Sequence, residues 1–276
     1  MNAASKLAVS SNGAVLAAEA VGQGPPLVLL HAGVTDRRVW AAQVARLRAG
    51  HRVVTYDRRG YGETPAADEP YSDVTDLLAV LDAGDIRQAV LVGSSKGGEI
   101  ALDFALAYPG RVRALILVGT AIGGMPVPDD WGEVPECLGG EMQEARAAGD
   151  LDRLNELEAQ LWLDGANPPG RVQGPLRDLF LAMNGPVLRA APEEGTPPER
   201  TAYPRLPELT VPTLLVVGSL ELPHLRAASE HAARVMPRAE LHIVPDTAHL
   251  PALERPGAFG DLLDRFLASL PGGLEA

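Results

Sequence analysis

The chain has 276 residues, 46% of them hydrophobic, a single cysteine and a formal net charge of −12. That length and apolar content suffice for one large core, and one Cys excludes a disulfide framework and points to a reducing, cytoplasmic setting. The negative balance argues against nucleic acid or an anionic membrane as partner, no apolar run in Met1–Gly13 reaches the length of a signal-peptide core, and none anywhere reaches that of a membrane span.

The chain opens with two short runs, Lys6–Val9 and Val15–Ala20, around Asn12-Gly13, which reads as a hairpin on a tight turn. Apolar runs follow at Leu27–Leu30, Arg52–Tyr56, Ala89–Val92 and Ala114–Val118, and again at Thr213–Val217 and Glu240–Val244. They show little alternation, as expected for strands covered on both faces, and helical patterns separate them. The prediction is an α/β chain with a mostly parallel sheet and helices on both faces.

Between Thr120 and about Val211 the alternation stops. Leu151, Leu154, Leu157 and Leu161 make one helical stripe, and Val172, Leu176, Leu179, Phe180, Met183 and Val187 make another. The expected organisation is a core of residues 1–120 and 206–276 with a helical cap, 121–205, inserted after the sixth strand and covering the site. Trp131, Met142, Trp162 and Phe180 are candidates to line its pocket, with plain core as the alternative for each. Glu193-Glu194 reads as part of a solvated linker. The final helix, about Gly257–Leu270, carries Phe259, Leu262, Leu263, Phe266 and Leu267 at helical spacing.

The chemistry-bearing motif is Gly93-Ser94-Ser95-Lys96-Gly97, a G-x-S-x-G between the Ala89–Val92 run and a helical pattern from Glu99 to Leu106. With 29 glycines in the chain, chance supplies roughly 0.1 such motifs, so the strand–turn–helix context carries the argument. Ser95 is the candidate nucleophile, and a serine hydroxyl needs a base and a group to orient that base. Downstream, Glu221 follows one late strand and His249 follows the next. The order Ser, acid, His is the one this elbow uses.

These residues, with Leu29-Leu30-His31-Ala32-Gly33, Trp40, Tyr56-Asp57-Arg58-Arg59-Gly60-Tyr61-Gly62 and Ala248-His249-Leu250-Pro251-Ala252-Leu253-Glu254-Arg255-Pro256, resemble the α/β-hydrolase superfamily. The match runs from about residue 25 to the C-terminus, apart from roughly 85 residues in the middle. The resemblance implies Ser95 as nucleophile, His249 as general base, Glu221 in the acid position, and an oxyanion hole from the backbone N–H groups of Gly33 and Lys96. It implies acyl transfer to water on a small-molecule carboxylic ester or lactone, with no cofactor and no metal. A serine at the elbow argues against the carboxylate nucleophile of haloalkane dehalogenases and epoxide hydrolases.

Three positions depart from the usual pattern: Glu221 where Asp is commoner, Ala32 after the loop histidine where Gly is common, and Lys96 after the nucleophile. Asp246 is the rival acid, although its place on the histidine's own loop reads as a turn. Lys96 either lowers the basicity of His249 or pairs with Glu99 one turn on. His31 is expected to brace the oxyanion loop. His51, His224, His231 and His242 read as structural or solvated, and Asp57 and Arg58 as an ion pair or turn. Two further readings stand beside the ester hydrolase: a cofactor-free carbon–carbon hydrolase with the same three residues, and a binding protein whose triad is degraded.

Overall fold

The computed structural model describes residues 4–67, 69–126, 136–165, 169–190, 195–198 and 201–271. Trp131 and Glu193-Glu194 lie outside the described residues.

Among the described residues, eight strands form one sheet: β1 (Ser5–Ser11), β2 (Ala14–Val21), β3 (Pro26–Leu30), β4 (Arg52–Tyr56), β5 (Ala89–Ser94), β6 (Val112–Val118), β7 (Thr213–Gly218) and β8 (Ala239–Val244). Their order is β1-β2-β4-β3-β5-β6-β7-β8. The β1–β2 hairpin is antiparallel and joins the rest through an antiparallel β2–β4 pair; β4, β3, β5, β6, β7 and β8 are parallel. Asn12 and Gly13 turn the hairpin with φ of 38° and 79°, the positive values that a two-residue primed turn requires.

The helices are α1 (Ala41–Leu47), α2 (Asp73–Ala83), α3 (Lys96–Ala107), α4 (Glu136–Ala148), α5 (Leu151–Trp162), α6 (Pro175–Ala190), α7 (Pro223–Val235), α8 (Pro251–Glu254) and α9 (Pro256–Ser269). Strand residues alternate between two layers, because successive side chains of a strand point to opposite faces. Val28, Leu30 and Leu91 pack with Leu77 and Leu81 of α2, Phe104 of α3 and Ala228 of α7. Leu27, Leu29, Val90 and Val92 pack with Leu47 of α1 and with Phe259, Leu263 and Phe266 of α9. Every residue of β5 and β7 is buried, which explains their unbroken apolar sequence.

The stretch between β6 and β7 holds α4, α5 and α6. Leu138, Leu154, Leu157 and Leu161 form a cluster of their own with Leu222 and Leu225 at the start of α7. A second cluster joins Ala159, Leu163 and Phe180 to Ala32 and Leu250, which lie in the loops after β3 and β8. Ile122, Ala202 and Leu206 pack instead into the sheet layer that holds α2 and α3. In α6, Pro186 removes the N–H that would bond the carbonyl of Ala182. Arg38, from the segment after β3, donates to that carbonyl at 3.1 Å.

Candidate active site

Parallel strands end on one side of a sheet, so the loops after β3, β5, β6, β7 and β8 share its carboxyl edge. The tightest of them is the turn from β5 into α3. Ser95 sits there with φ 51° and ψ −116°, a conformation that costs a non-glycine residue about 1–3 kcal/mol. Its neighbours explain how the turn closes. A Cβ on Gly93 would lie 2.4 Å from the carbonyl oxygen of Gly97, and one on Gly97 would lie 2.4 Å from that of Leu30. At Gly98 it would meet Thr120 Oγ1 at 2.0 Å. The Ser95 N–H donates to the Val118 carbonyl at 2.7 Å, while its own carbonyl accepts from Gly98 and Glu99 and starts α3. The side chain, half-buried, therefore stands at the positive end of a helix.

His249 and Glu221 meet on the same edge. The imidazole Nδ1 is 2.9 Å from Glu221 Oε2, and Glu221 Oε1 accepts the Leu222 N–H at 2.9 Å. Both side chains are buried. The pair rests on Gly119, where a Cβ would lie 2.7 Å from Glu221 Oε2 and 3.0 Å from His249 Nδ1. Gly119 directly follows Val118, whose carbonyl holds Ser95, so serine, histidine and glutamate gather around the end of β6. The extra methylene of Glu221 leaves its carboxylate within bonding reach of the imidazole. Asp246, the rival acid, is exposed, has φ 54°, and gives its N–H to Ser219 Oγ at 2.9 Å. It is a turn residue.

The loop after β3 reaches the serine from the other side. A Cβ built on Gly33 would be 3.8 Å from Lys96 Cβ and 4.0 Å from the Tyr61 hydroxyl, so the Gly33 and Lys96 backbones are neighbours. His31 holds this loop. Its Nε2 accepts the Arg58 N–H at 3.0 Å, which leaves Nδ1 protonated to donate to the Ala32 carbonyl at 2.8 Å. Burial, helped by the Arg58 charge, pulls its pKa down to about 4, so the ring is neutral. The Lys96 ammonium lies 3.1 Å from Glu99 Oε2, the pairing expected one turn along α3. Asp57 accepts the backbone N–H groups of Arg37 and Glu63 and the Arg37 guanidinium; Arg58 pairs with Asp73 at 3.1 Å and Arg59 with Asp76 at 2.8 Å. All three pairs brace the loops. Of the remaining histidines, His51 bonds the Leu47 carbonyl at 3.3 Å, His231 stacks on Tyr203, His224 opens α7, and His242 is exposed on β8.

Two features went unread in the sequence. Glu254 is buried beneath the histidine loop, where its carboxylate accepts the N–H groups of Ala248 and Leu250 at 3.0 and 3.2 Å. Arg171, from the turn between α5 and α6, pairs with Glu254 and donates to the carbonyls of Leu163 and Asp246. Trp162 was a pocket candidate. It closes α5 with its ring centroid 4.5 Å from that of His249, and its carbonyl accepts the His249 N–H at 3.2 Å. Phe180 is fully buried core, and Met142 packs against the α4–α5 cluster. Glu254 stands in the Ala248–Pro256 stretch, but nothing local signals its contact, since Arg171 and Trp162 are far from it in sequence.

Residues 27–262 match the model of the alpha/beta hydrolase family. The 2-hydroxymuconate semialdehyde hydrolase of Pseudomonas sp. (strain CF600) is 32% identical over 260 residues, covering 90% of this chain and 88% of that protein. The pimeloyl-[acyl-carrier protein] methyl ester esterase of Aeromonas hydrophila is 29% identical over 251 residues, covering 90% and 98%. Among solved structures, the enol-lactonase of Burkholderia xenovorans LB400 superposes with a TM-score of 0.73 at 26% identity, covering 96% of this chain and all of that one (100%).

Proposed function

This chain belongs to the alpha/beta hydrolase family, and from that premise we propose that it hydrolyses a small or medium carboxylic ester or lactone through an acyl-enzyme on Ser95. The observation that carries the reading is the Glu221–His249 pair, at 2.9 Å, on the strand end that also holds the strained Ser95 turn. His249 takes the Ser95 proton as the hydroxyl oxygen attacks the substrate carbonyl carbon. Glu221 holds the other imidazole nitrogen and stabilises the imidazolium that forms. The oxyanion of the tetrahedral intermediate accepts the N–H groups of Gly33 and Lys96; losing one such donor costs about 10²–10³ in rate. The imidazolium then protonates the departing alkoxide, and a water deprotonated by His249 releases the acid and restores the serine. This cycle calls for no cofactor. Residues 121–205 act as a cap over the site, and the apolar contacts of Leu163 and Phe180 with Ala32 and Leu250 fit that role.

Likeness to the semialdehyde hydrolase favours one second reading, a carbon–carbon bond hydrolysis run by the same three residues on a dicarbonyl substrate. Treatment with a fluorophosphonate, followed by intact-mass spectrometry and peptide mapping, tests the serine chemistry that both share. A single adduct on Ser95, lost in His249→Ala, supports it, and no adduct overturns it. Turnover of a panel of esters, lactones and vinylogous diketones then separates the two.

A further inference from the structure

In that hydrolase reading, on which this inference rests, the triad is a nucleophile, a base and an acid from the sheet edge. The structure assigns the base a third partner: Trp162, a positioning residue whose indole face stabilises the His249 imidazolium. Three observations converge. The indole and imidazole centroids are 4.5 Å apart at an interplanar angle of 42°. That separation lies inside the range in which the negative face of an aromatic ring attracts a cation. Second, Trp162 is the last residue of α5, and its carbonyl, one of the orphans of a helix end, accepts the His249 N–H at 3.2 Å. The negative end of the helix therefore points at the histidine loop, which again favours a positive ring.

Third, the turn after Trp162 is built to hold it there. Asp164, fully buried, accepts the N–H groups of Gly170 and Val172 at 3.0 and 2.8 Å and pairs with Arg177 at 3.1 Å. Gly165 has φ 74°, and a Cβ there would lie 2.7 Å from the Leu220 carbonyl and 3.2 Å from Ala248 Cβ. The turn thus touches the loop that carries Glu221 and the loop that carries His249. The charged groups around the imidazole are Glu221 on Nδ1, Glu254 on the loop backbone with Arg171 upon it, Asp164 with Arg177 in the turn, and Lys96 with Glu99 on α3. Against that constant set the indole is neutral; it also packs on the Leu154–Leu161 and Phe180 clusters, so substitutions that keep its shape isolate the ring face.

The test reads the base directly. In ¹⁵N-histidine-labelled protein, NMR follows the His249 titration in wild type, Trp162→Phe and Trp162→Met. The pH profile of kcat and KM for 4-nitrophenyl acetate is measured alongside. Trp162→Met is expected to move the midpoint to lower pH by about 0.3–1 unit and to lower kcat about 2–10-fold, with KM within about twofold. Trp162→Phe, which keeps an aromatic face, is expected to recover most of both. Replacing the tryptophans by progressively fluorinated analogues, which weaken the face without changing its shape, is expected to lower the midpoint in steps even if the Met variant fails to fold. A midpoint unchanged across the fluorinated series, or identical in Trp162→Phe and Trp162→Met, overturns the assignment. Failure of Ser95 to label with a fluorophosphonate overturns the hydrolase reading instead, and the titration still decides the role of the indole.

Discussion

Ser95 holds a left-handed backbone only because glycines at 93, 97 and 98 let strand, helix and loop close around it. Gly97→Ala puts a methyl 2.4 Å from a backbone oxygen that has no rotamer to retreat into. We expect it to lower Tm in a thermal scan and to abolish fluorophosphonate labelling of Ser95. At the acid position the two candidates separate cleanly. Glu221→Gln should reduce kcat about 10²–10⁴-fold, since the amide no longer stabilises the imidazolium, while Asp246→Asn should keep it within about threefold. A reversed outcome in steady-state assays reassigns the acid. His31 makes a stability prediction. Its folded pKa of about 4 lies below the unfolded 6.5, so its contribution is present above pH 6.5 and lost as pH falls through 4. The loss amounts to about 3 kcal/mol, and urea unfolding of His31→Gln should show a flatter dependence over that window.

At the scale of elements, α8 is short, but Glu254 at its end carries the histidine loop. Glu254→Ala strands the N–H groups of Ala248 and Leu250 and should cost about 1–3 kcal/mol in denaturant unfolding. It should lower kcat more than it raises KM. Most strands were legible beforehand because buried parallel strands write themselves as continuous apolar runs, and the structure extends most of them by only a residue or two. The antiparallel β1–β2 hairpin was legible from its Asn12-Gly13 turn instead. The Glu240–Val244 run, expected to be covered on both faces, is β8 at the sheet edge, where His242 and Ile243 are exposed. α5 was legible from its leucine stripe and α6 from Leu176, Leu179, Phe180, Met183 and Val187, although Val172, read into the same stripe, lies before the helix begins. α4 was not: Gly139-Gly140 lies inside it, glycine is among the poorest helix formers, and its apolar residues are few. Of the site, the order of Ser95, Glu221 and His249 could be read along the chain. The contacts of Trp162 and Arg171 could not, because they depend on how a segment between β6 and β7 folds back over loops near residue 249. No local pattern encodes such a pairing.

For the molecule as a whole, the acidic balance shows its cost where carboxylates are buried. Burial, with Glu99 nearby, pushes the Asp103 carboxyl on α3 up to about 6. Its folded pKa exceeds the unfolded value of 3.8, so its contribution to stability is present at low pH and lost as pH rises through 6. Asp103→Asn should therefore melt higher than wild type at pH 8, with the difference closing near pH 4 in a calorimetric series. The segment from α4 to α6 is bound to the sheet edge by its apolar clusters and also by Arg38 to Ala182, Arg171 to Glu254 and Asp246, and Trp162 to His249. It follows that this segment is a poor module for transplantation. A chimera given the 121–205 stretch of a relative would import a foreign selectivity and also cut contacts that His249 and its loop depend on. Its turnover should drop even on substrates the donor handles well. Directed evolution toward new substrates has more freedom in the outward faces of α4 and α6 than in the four residues from Trp162 to Gly165.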